Sequence, residues 1–201
     1  MFNLVVLKDT VIINPWNFNK QRFTVILDTL NNRFSNKVIH NVGLCLSVWD
    51  LLKVEDSCIL PGDGATHTNV TFRAIVYRPF IDEVIVGKIK SCTKERIQVT
   101  VGCFDDIFIL PEYLQENSSF DSKEETWKWQ YEDGGEAHDL FMDIGQQIRF
   151  RVIGEKFTDL SPSGPRNENA EEMVEPNLTK SYEITGSICE PGLGLISWWE
   201  S

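Results

Sequence analysis

The chain opens on a strand-like, largely apolar segment. Residues 2–13 are dense in β-branched side chains, a pattern that predicts a strand. Asn14-Pro15 then has the form of a helix N-cap with proline at the first helical position. Phe23, Leu27, Leu30, Phe34 and Val38 recur at steps of three and four. That spacing lays one apolar stripe on a helix of about six turns, which Asn41-Val42-Gly43 closes. Two further strand-like runs, 43–52 and 70–80, flank Pro61-Gly62-Asp63-Gly64, which continues neither helix nor strand and must turn. The order fits a small antiparallel sheet with one long helix on a face.

From residue 81 the pattern becomes strand after strand. Segments 82–92, 96–102 and 104–110 are short and alternating. Residues 111–114 predict a single helical turn, and 115–125 a polar loop. Trp127-Lys128-Trp129-Gln130-Tyr131 alternates aromatic and polar side chains as an amphipathic strand does. Runs 146–157 and 182–190 add two strands. Closely spaced strands with turns between them predict a small Greek-key barrel of the OB type. The fold class is therefore α+β: an N-terminal α/β domain over 1–80, then a C-terminal OB-fold β-barrel over 81–201. Residues 161–180 carry only Ala170, Met173, Val174 and Leu178 as apolar side chains, with three prolines. They predict a disordered surface insertion.

The alternation also sorts the barrel's two faces. Ile85, Gly87 and Ile89 oppose Lys88 and Lys90; Ile97, Val99 and Val101 oppose Arg96. Ile107 and Ile109 oppose Phe104 and Phe108; Ile148, Phe150 and Val152 oppose Arg149 and Arg151. If the aliphatic sets fill the barrel, the outer set is Lys88, Lys90, Arg96, Phe104, Phe108, Arg149 and Arg151. Cations beside exposed aromatic rings suit single-stranded nucleic acid, because each base stacked on a ring contributes about 1–3 kcal/mol. A merely solvated face would show the same pattern, and Asp105 and Asp106 weaken phosphate attraction there.

Charge narrows the choice. Of the 201 residues, 19 are basic and 30 acidic, a net charge of −11. Residues 1–80 hold 8 basic and 6 acidic side chains, and 81–201 hold 11 and 24. So acidic a chain does not coat nucleic acid by bulk charge; contact needs a local patch or tethering to something larger. The five cysteines show no Cys-x-x-Cys spacing and no secretory signal precedes them, which predicts reduced thiols in an intracellular protein. His40, His67 and His138 are scattered, so no metal site is expected. Asp105-Asp106 and Glu124-Glu125 are adjacent pairs whose members point to opposite faces of a strand. Gly192-Leu193-Gly194 lacks the third glycine of a dinucleotide site, and no nucleophile elbow occurs. Neither catalysis nor a cofactor is predicted.

Several segments resemble one family. Gly62-Asp63-Gly64, the run from Phe72 to Val84 and Gly87-Lys88-Ile89 resemble the stalk subunit of archaeal and eukaryotic RNA polymerases, the family of the archaeal E subunit. Gly102-Cys103-Phe104-Asp105-Asp106-Ile107, Ala137 to Asp143 and Glu190 to Trp199 narrow the resemblance to the RNA polymerase III branch.

That resemblance implies a non-catalytic, nuclear polymerase subunit. An N-terminal tip domain docks on the polymerase III core, and an OB domain projects outward. The implied partners are the core, a small helical stalk protein related to the archaeal F subunit, and nascent single-stranded RNA; no membrane is involved. The implied role lies in initiation at genes for short non-coding RNAs. The Gly62-Asp63-Gly64 turn matches the family's tip loop, and His67 lies just beyond it. Trp198 and Trp199 either pack back on the barrel or contact a partner. A freestanding OB-fold protein acting in translation or RNA handling is the alternative, although it leaves the N-terminal domain unexplained.

Overall fold

The structure is a computed structural model that describes residues 1–133, 136–160 and 180–199. The chain packs as two compact units, Met1–Pro79 and Phe80–Ser201.

In the first unit, strands β1 (Phe2–Ile13), β2 (Lys37–Ile39), β3 (Gly43–Ile59) and β4 (Thr66–Tyr77) form one antiparallel sheet in the order β1-β4-β3-β2. Helix α1 (Arg22–Phe34) covers one face. Alternation on β4 sends Val70, Phe72, Ala74 and Val76 under the helix, where they meet Val25, Ile26 and Leu30 in one core. Each valine, leucine, isoleucine or phenylalanine side chain so removed from water contributes about 1.5–3 kcal/mol.

The helix is shorter than its stripe predicts. Pro15–Asn17 forms only an isolated 3-10 turn, and Gln21 is extended at ψ 124° before α1 begins. At the other end Asn36 adopts φ 57°, a left-handed conformation that asparagine tolerates. The chain there reverses into β2, so Val38 lies on a strand rather than the helix. Phe23 is exposed, and the buried face runs through Val25, Ile26 and Leu30 instead. Strand β3 extends past residue 52 to Ile59, with four register shifts against β4.

In the second unit, strands β5 (Val84–Cys92), β6 (Ile97–Thr100), β7 (Ile107–Ile109), β11 (Gln147–Phe157) and β12 (Tyr182–Ser187) form a ring. The order is β12-β7-β6-β5-β11, closed by pairing of β11 with β12. Only the β7–β12 pair is parallel among the ring's pairings. This is a closed five-stranded barrel of the OB type. Its interior holds most of the aliphatic set expected from alternation, Ile85, Ile89, Ile97, Val99, Ile107, Ile109, Ile148 and Val152, each at most 5% exposed, together with Ile184; Val101, expected inside, is only partly buried because it lies past the end of β6. Phe150 fills the remaining space. A Cβ at position 186 would lie 2.8 Å from the Phe150 ring, and one at 87 would lie 2.6 Å from Val99 Cγ1, so both glycines leave room that the packing occupies.

Between β7 and β11 the chain inserts a three-stranded antiparallel meander, β8 (Ser118–Asp121), β9 (Thr126–Asp133) and β10 (Glu136–Met142). The predicted loop at 115–125 therefore contains a strand. Strand β13 (Gly194–Leu195) adds to β11, and a 3-10 turn, Ile196–Trp198, follows it. The predicted insertion at 161–180 lies outside the described residues, apart from Lys180.

Candidate docking tip, nucleic-acid face and aromatic cavity

The β3–β4 hairpin ends in the predicted glycine turn. Gly62 and Gly64 have φ values of 91° and 70°, a region costly for any side chain with a Cβ. His67 Nε2 lies 2.7 Å from Asp63 Oδ2, which ties the turn to the first residues of β4. A Cβ at position 64 would lie 3.9 Å from Pro15 Cγ, so the Pro15–Asn17 turn stands beside it. Around these two turns Trp16 (73% exposed), Phe18, Ile59 and Leu60 face solvent. None of these four was read from the sequence as functional. Large apolar side chains in a strand-end and loop environment were the available signal.

The sheet face away from α1 is apolar too. Phe2, Leu4, Val6 and Ile12 alternate along it on β1 and are about half exposed. Trp49 and Leu52, extra residues at two register shifts of β3, are also exposed. Amid this surface Arg73 Nε donates to Asp50 Oδ1 at 2.8 Å, and Arg73 Nη2 binds the other carboxylate oxygen. Hydrogen bonding to that guanidinium holds the Asp50 carboxyl below its usual range.

On the barrel, the predicted cations all lie outside the core, but they fall into separate groups. Lys88 is exposed on β5, opposite Gln147 of β11. Arg149 and Arg151 lie opposite Val86 and Val84 on the same strand pair. Arg151 is paired with Glu190 at 2.7 Å, and Arg149 Nη1 donates to the Gly192 carbonyl at 3.5 Å. Lys90 occupies the β5–β6 register shift and is paired with Asp105 at 2.7 Å. Thr100 Oγ1 also binds Asp105, and with Lys90 it pulls the Asp105 carboxyl below its usual range.

Phe104 and Phe108 correct the sequence reading. Both were expected to stand exposed, and each is 6% exposed. Phe104 packs on Tyr182, ring centroids 5.2 Å apart, and Tyr182 stacks in turn on Phe157 at 4.3 Å. Phe108 lies beneath Arg96, whose guanidinium carbon is 4.1 Å from the ring centroid. Arg96 thus gains a cation–π contact and closes the ring off from solvent.

The chain-terminal tryptophans divide between the two readings offered for them. Trp198 packs back: it meets Trp129 at a centroid distance of 5.1 Å, and a Cβ at position 194 would lie 2.6 Å from its ring. Trp199 donates its indole N–H to the Leu193 carbonyl at 3.1 Å but stays 44% exposed. With Trp129 and Tyr131 they wall an open cavity of about 640 Å³.

Comparison with known proteins follows the same two-part division. A family model described as RNA polymerase III subunit Rpc25 matches residues 83–199. A second, the SHS2 domain found in the N terminus of Rpb7p/Rpc25p/MJ0397, matches residues 8–64. The chain is 50% identical to DNA-directed RNA polymerase III subunit RPC8 of Bos taurus, over the full length of both. It is 40% identical to the subunit of that name in Saccharomyces cerevisiae, again over both full lengths. It is 31% identical to DNA-directed RNA polymerase subunit Rpo7 of Sulfolobus acidocaldarius, over 94% of this chain and 98% of that one. The chain belongs to the RNA polymerase III subunit Rpc25 family. It is a non-catalytic subunit of a DNA-directed RNA polymerase.

Proposed function

We propose that the chain is a stalk subunit of RNA polymerase III, working in the nucleus. It grips the polymerase with its N-terminal unit and guides emerging RNA across its barrel. In this reading it pairs with a small helical stalk subunit and serves initiation at short non-coding RNA genes. The observation that carries the reading is the concentration of exposed apolar side chains on the N-terminal unit: Trp16, Phe18, Ile59 and Leu60 at the tip, and Phe2, Leu4 and Val6 on the open sheet face. Contiguous apolar surface of this kind marks an interaction site, and a freestanding RNA-binding protein has no use for it. Two surfaces suit two partners, the polymerase core at the tip and the helical subunit on the sheet.

For RNA, the reading assigns Lys88, Arg149 and Arg96 as phosphate contacts, with Lys90 and Arg151 moderated by their acidic neighbours. Phe108 serves from below by holding Arg96. Phe104, buried against Tyr182, supports the surface rather than stacking on a base.

Affinity capture of the tagged full-length chain from nuclear extract tests the assignment. Polymerase III subunits should be recovered together, with the small helical subunit among them. Recovery of ribosomes or free RNA without polymerase would overturn it.

A further inference from the structure

The aromatic cavity of the barrel unit has a chemistry unlike that of the RNA face. Its volume, about 640 Å³, lies within the ordinary range for ligand sites. Trp129, Tyr131, Trp198 and Trp199 form its aromatic walls. The rings are fixed rather than loose: Trp129 meets Trp198 at 5.1 Å and Tyr131 at 5.2 Å, with interplanar angles of 42° and 54°. Gly194, which has no Cβ to clash, lets Trp198 lie close on the chain.

The cavity's charge is one-sided. Among the described lining residues, Glu116 stands exposed as the one ionised side chain, and none is a lysine or arginine. Phosphates would meet a carboxylate with no compensating cation, so the cavity does not suit RNA. A cation meets both the aromatic faces and the carboxylate favourably. Glu116 adds a further requirement: a carboxylate is best satisfied by paired N–H donors, which form two parallel charge-assisted hydrogen bonds with it. A quaternary ammonium has none to give. A guanidinium is planar, weakly hydrated, stacks on aromatic rings and carries five N–H donors.

The geometry points to this cavity as a binding site for an arginine side chain presented by a segment of a partner protein. This deepens the reading of the chain as an assembly subunit by naming the chemistry of one contact near its end. The segment's backbone has room beside the side chain, and the acidity of residues 81–201 favours a basic segment over an acidic one.

The test uses the full-length chain with nitrogen-15-labelled tryptophan and follows the indole resonances by NMR. N-acetyl-arginine methylamide is titrated against its neutral near-isostere, N-acetyl-citrulline methylamide, and against oligouridylate. The arginine probe should shift the Trp129, Trp198 and Trp199 signals saturably, with at least fivefold tighter binding than citrulline. E116Q, on the exposed rim, should weaken the arginine probe about fivefold while leaving the signal of buried Trp127, whose indole N–H donates to the Thr93 carbonyl, in place as a check on folding of the second unit. Absence of a saturable shift, equal response to citrulline, or preferential shifts with oligouridylate would each overturn the assignment. Polymerase capture by the wild-type chain is scored separately, so failure of the cavity assignment is distinct from failure of the assembly reading.

Discussion

At the residue scale, the cations of the barrel are unequal, and the inequality comes from their neighbours. Lys90 is held by Asp105, whose carboxyl stays ionised below its usual range because Lys90 and Thr100 both donate to it. That pairing takes up part of the Lys90 charge. Lys88 is exposed and faces Gln147 in the register, with no acidic partner among the described residues. Replacing Lys88 with alanine should weaken binding of single-stranded RNA and reduce the salt slope by about 0.7, one phosphate contact. Replacing Lys90 alone should change little. Asp105→Asn should strengthen binding and steepen the slope by a similar amount, because it frees Lys90. Fluorescence anisotropy across a salt series reads all three, and an unchanged K88A slope would remove this strand from the RNA path. Alternation alone placed every one of these cations outside the barrel correctly. It could not show which were already paired, since Asp105 and Glu190 reach Lys90 and Arg151 only through the fold. Nor could it show that Phe108 is buried, because its cover is Arg96 on the adjoining segment. An outward-facing ring is exposed only if nothing on the neighbouring strand reaches over it.

At the element scale, the strands most legible in the sequence were those with one face in a core. β5 and β11 read most clearly: buried Ile85, Gly87 and Ile89, and buried Ile148, Phe150 and Val152, alternate with outward residues that include Lys88, Arg149 and Arg151. β8 was missed because Ser118-Ser119-Phe120-Asp121 has one apolar residue and is held by its partner β9 rather than by a core. β13 has only two residues and no period to read. The helix was overextended for a different reason. Val38 continues the three-and-four spacing of the stripe, yet the left-handed Asn36 ends the helix before it. Within the barrel, Phe150 and the glycines beside it form a single packing unit. Gly186→Ala should destabilise the second unit by about 1–3 kcal/mol, because the new Cβ meets a ring already in place. Phe150→Leu costs stability by itself but should recover part of that loss when combined with Gly186→Ala. A double-mutant cycle from denaturant unfolding measures the coupling. Additive costs would show that the barrel relieves the clash elsewhere.

At the scale of the whole molecule, the charge is divided in the same way as the chemistry. The first 80 residues are nearly balanced and carry exposed apolar surface; the remainder is strongly acidic with a few free cations. Apolar docking loses little to salt, whereas phosphate contacts weaken steeply with it, so the two proposed activities can be separated by experiment. The glycine turn was legible as a turn because Pro61-Gly62-Asp63-Gly64 continues neither helix nor strand. The exposure of Trp16 and Phe18 was not, because Asn14-Pro15 in front of an apolar stripe reads as a helix start. In the fold Pro15–Asn17 is a separate turn, and both rings stay outside the core. Replacing Trp16 and Phe18 together with serine should leave the first unit's stability within about 0.5 kcal/mol, as expected for exposed positions. It should reduce capture of polymerase III subunits by at least tenfold, since buried aromatic anchors at an interface commonly contribute about 2 kcal/mol or more. RNA affinity of the purified chain should be unchanged. Quantitative capture from nuclear extract, paired with anisotropy on the same preparations, checks both halves. A variant that captures polymerase normally would move the grip away from the tip and leave the open face of the β1-β4-β3-β2 sheet as the surface that holds the enzyme.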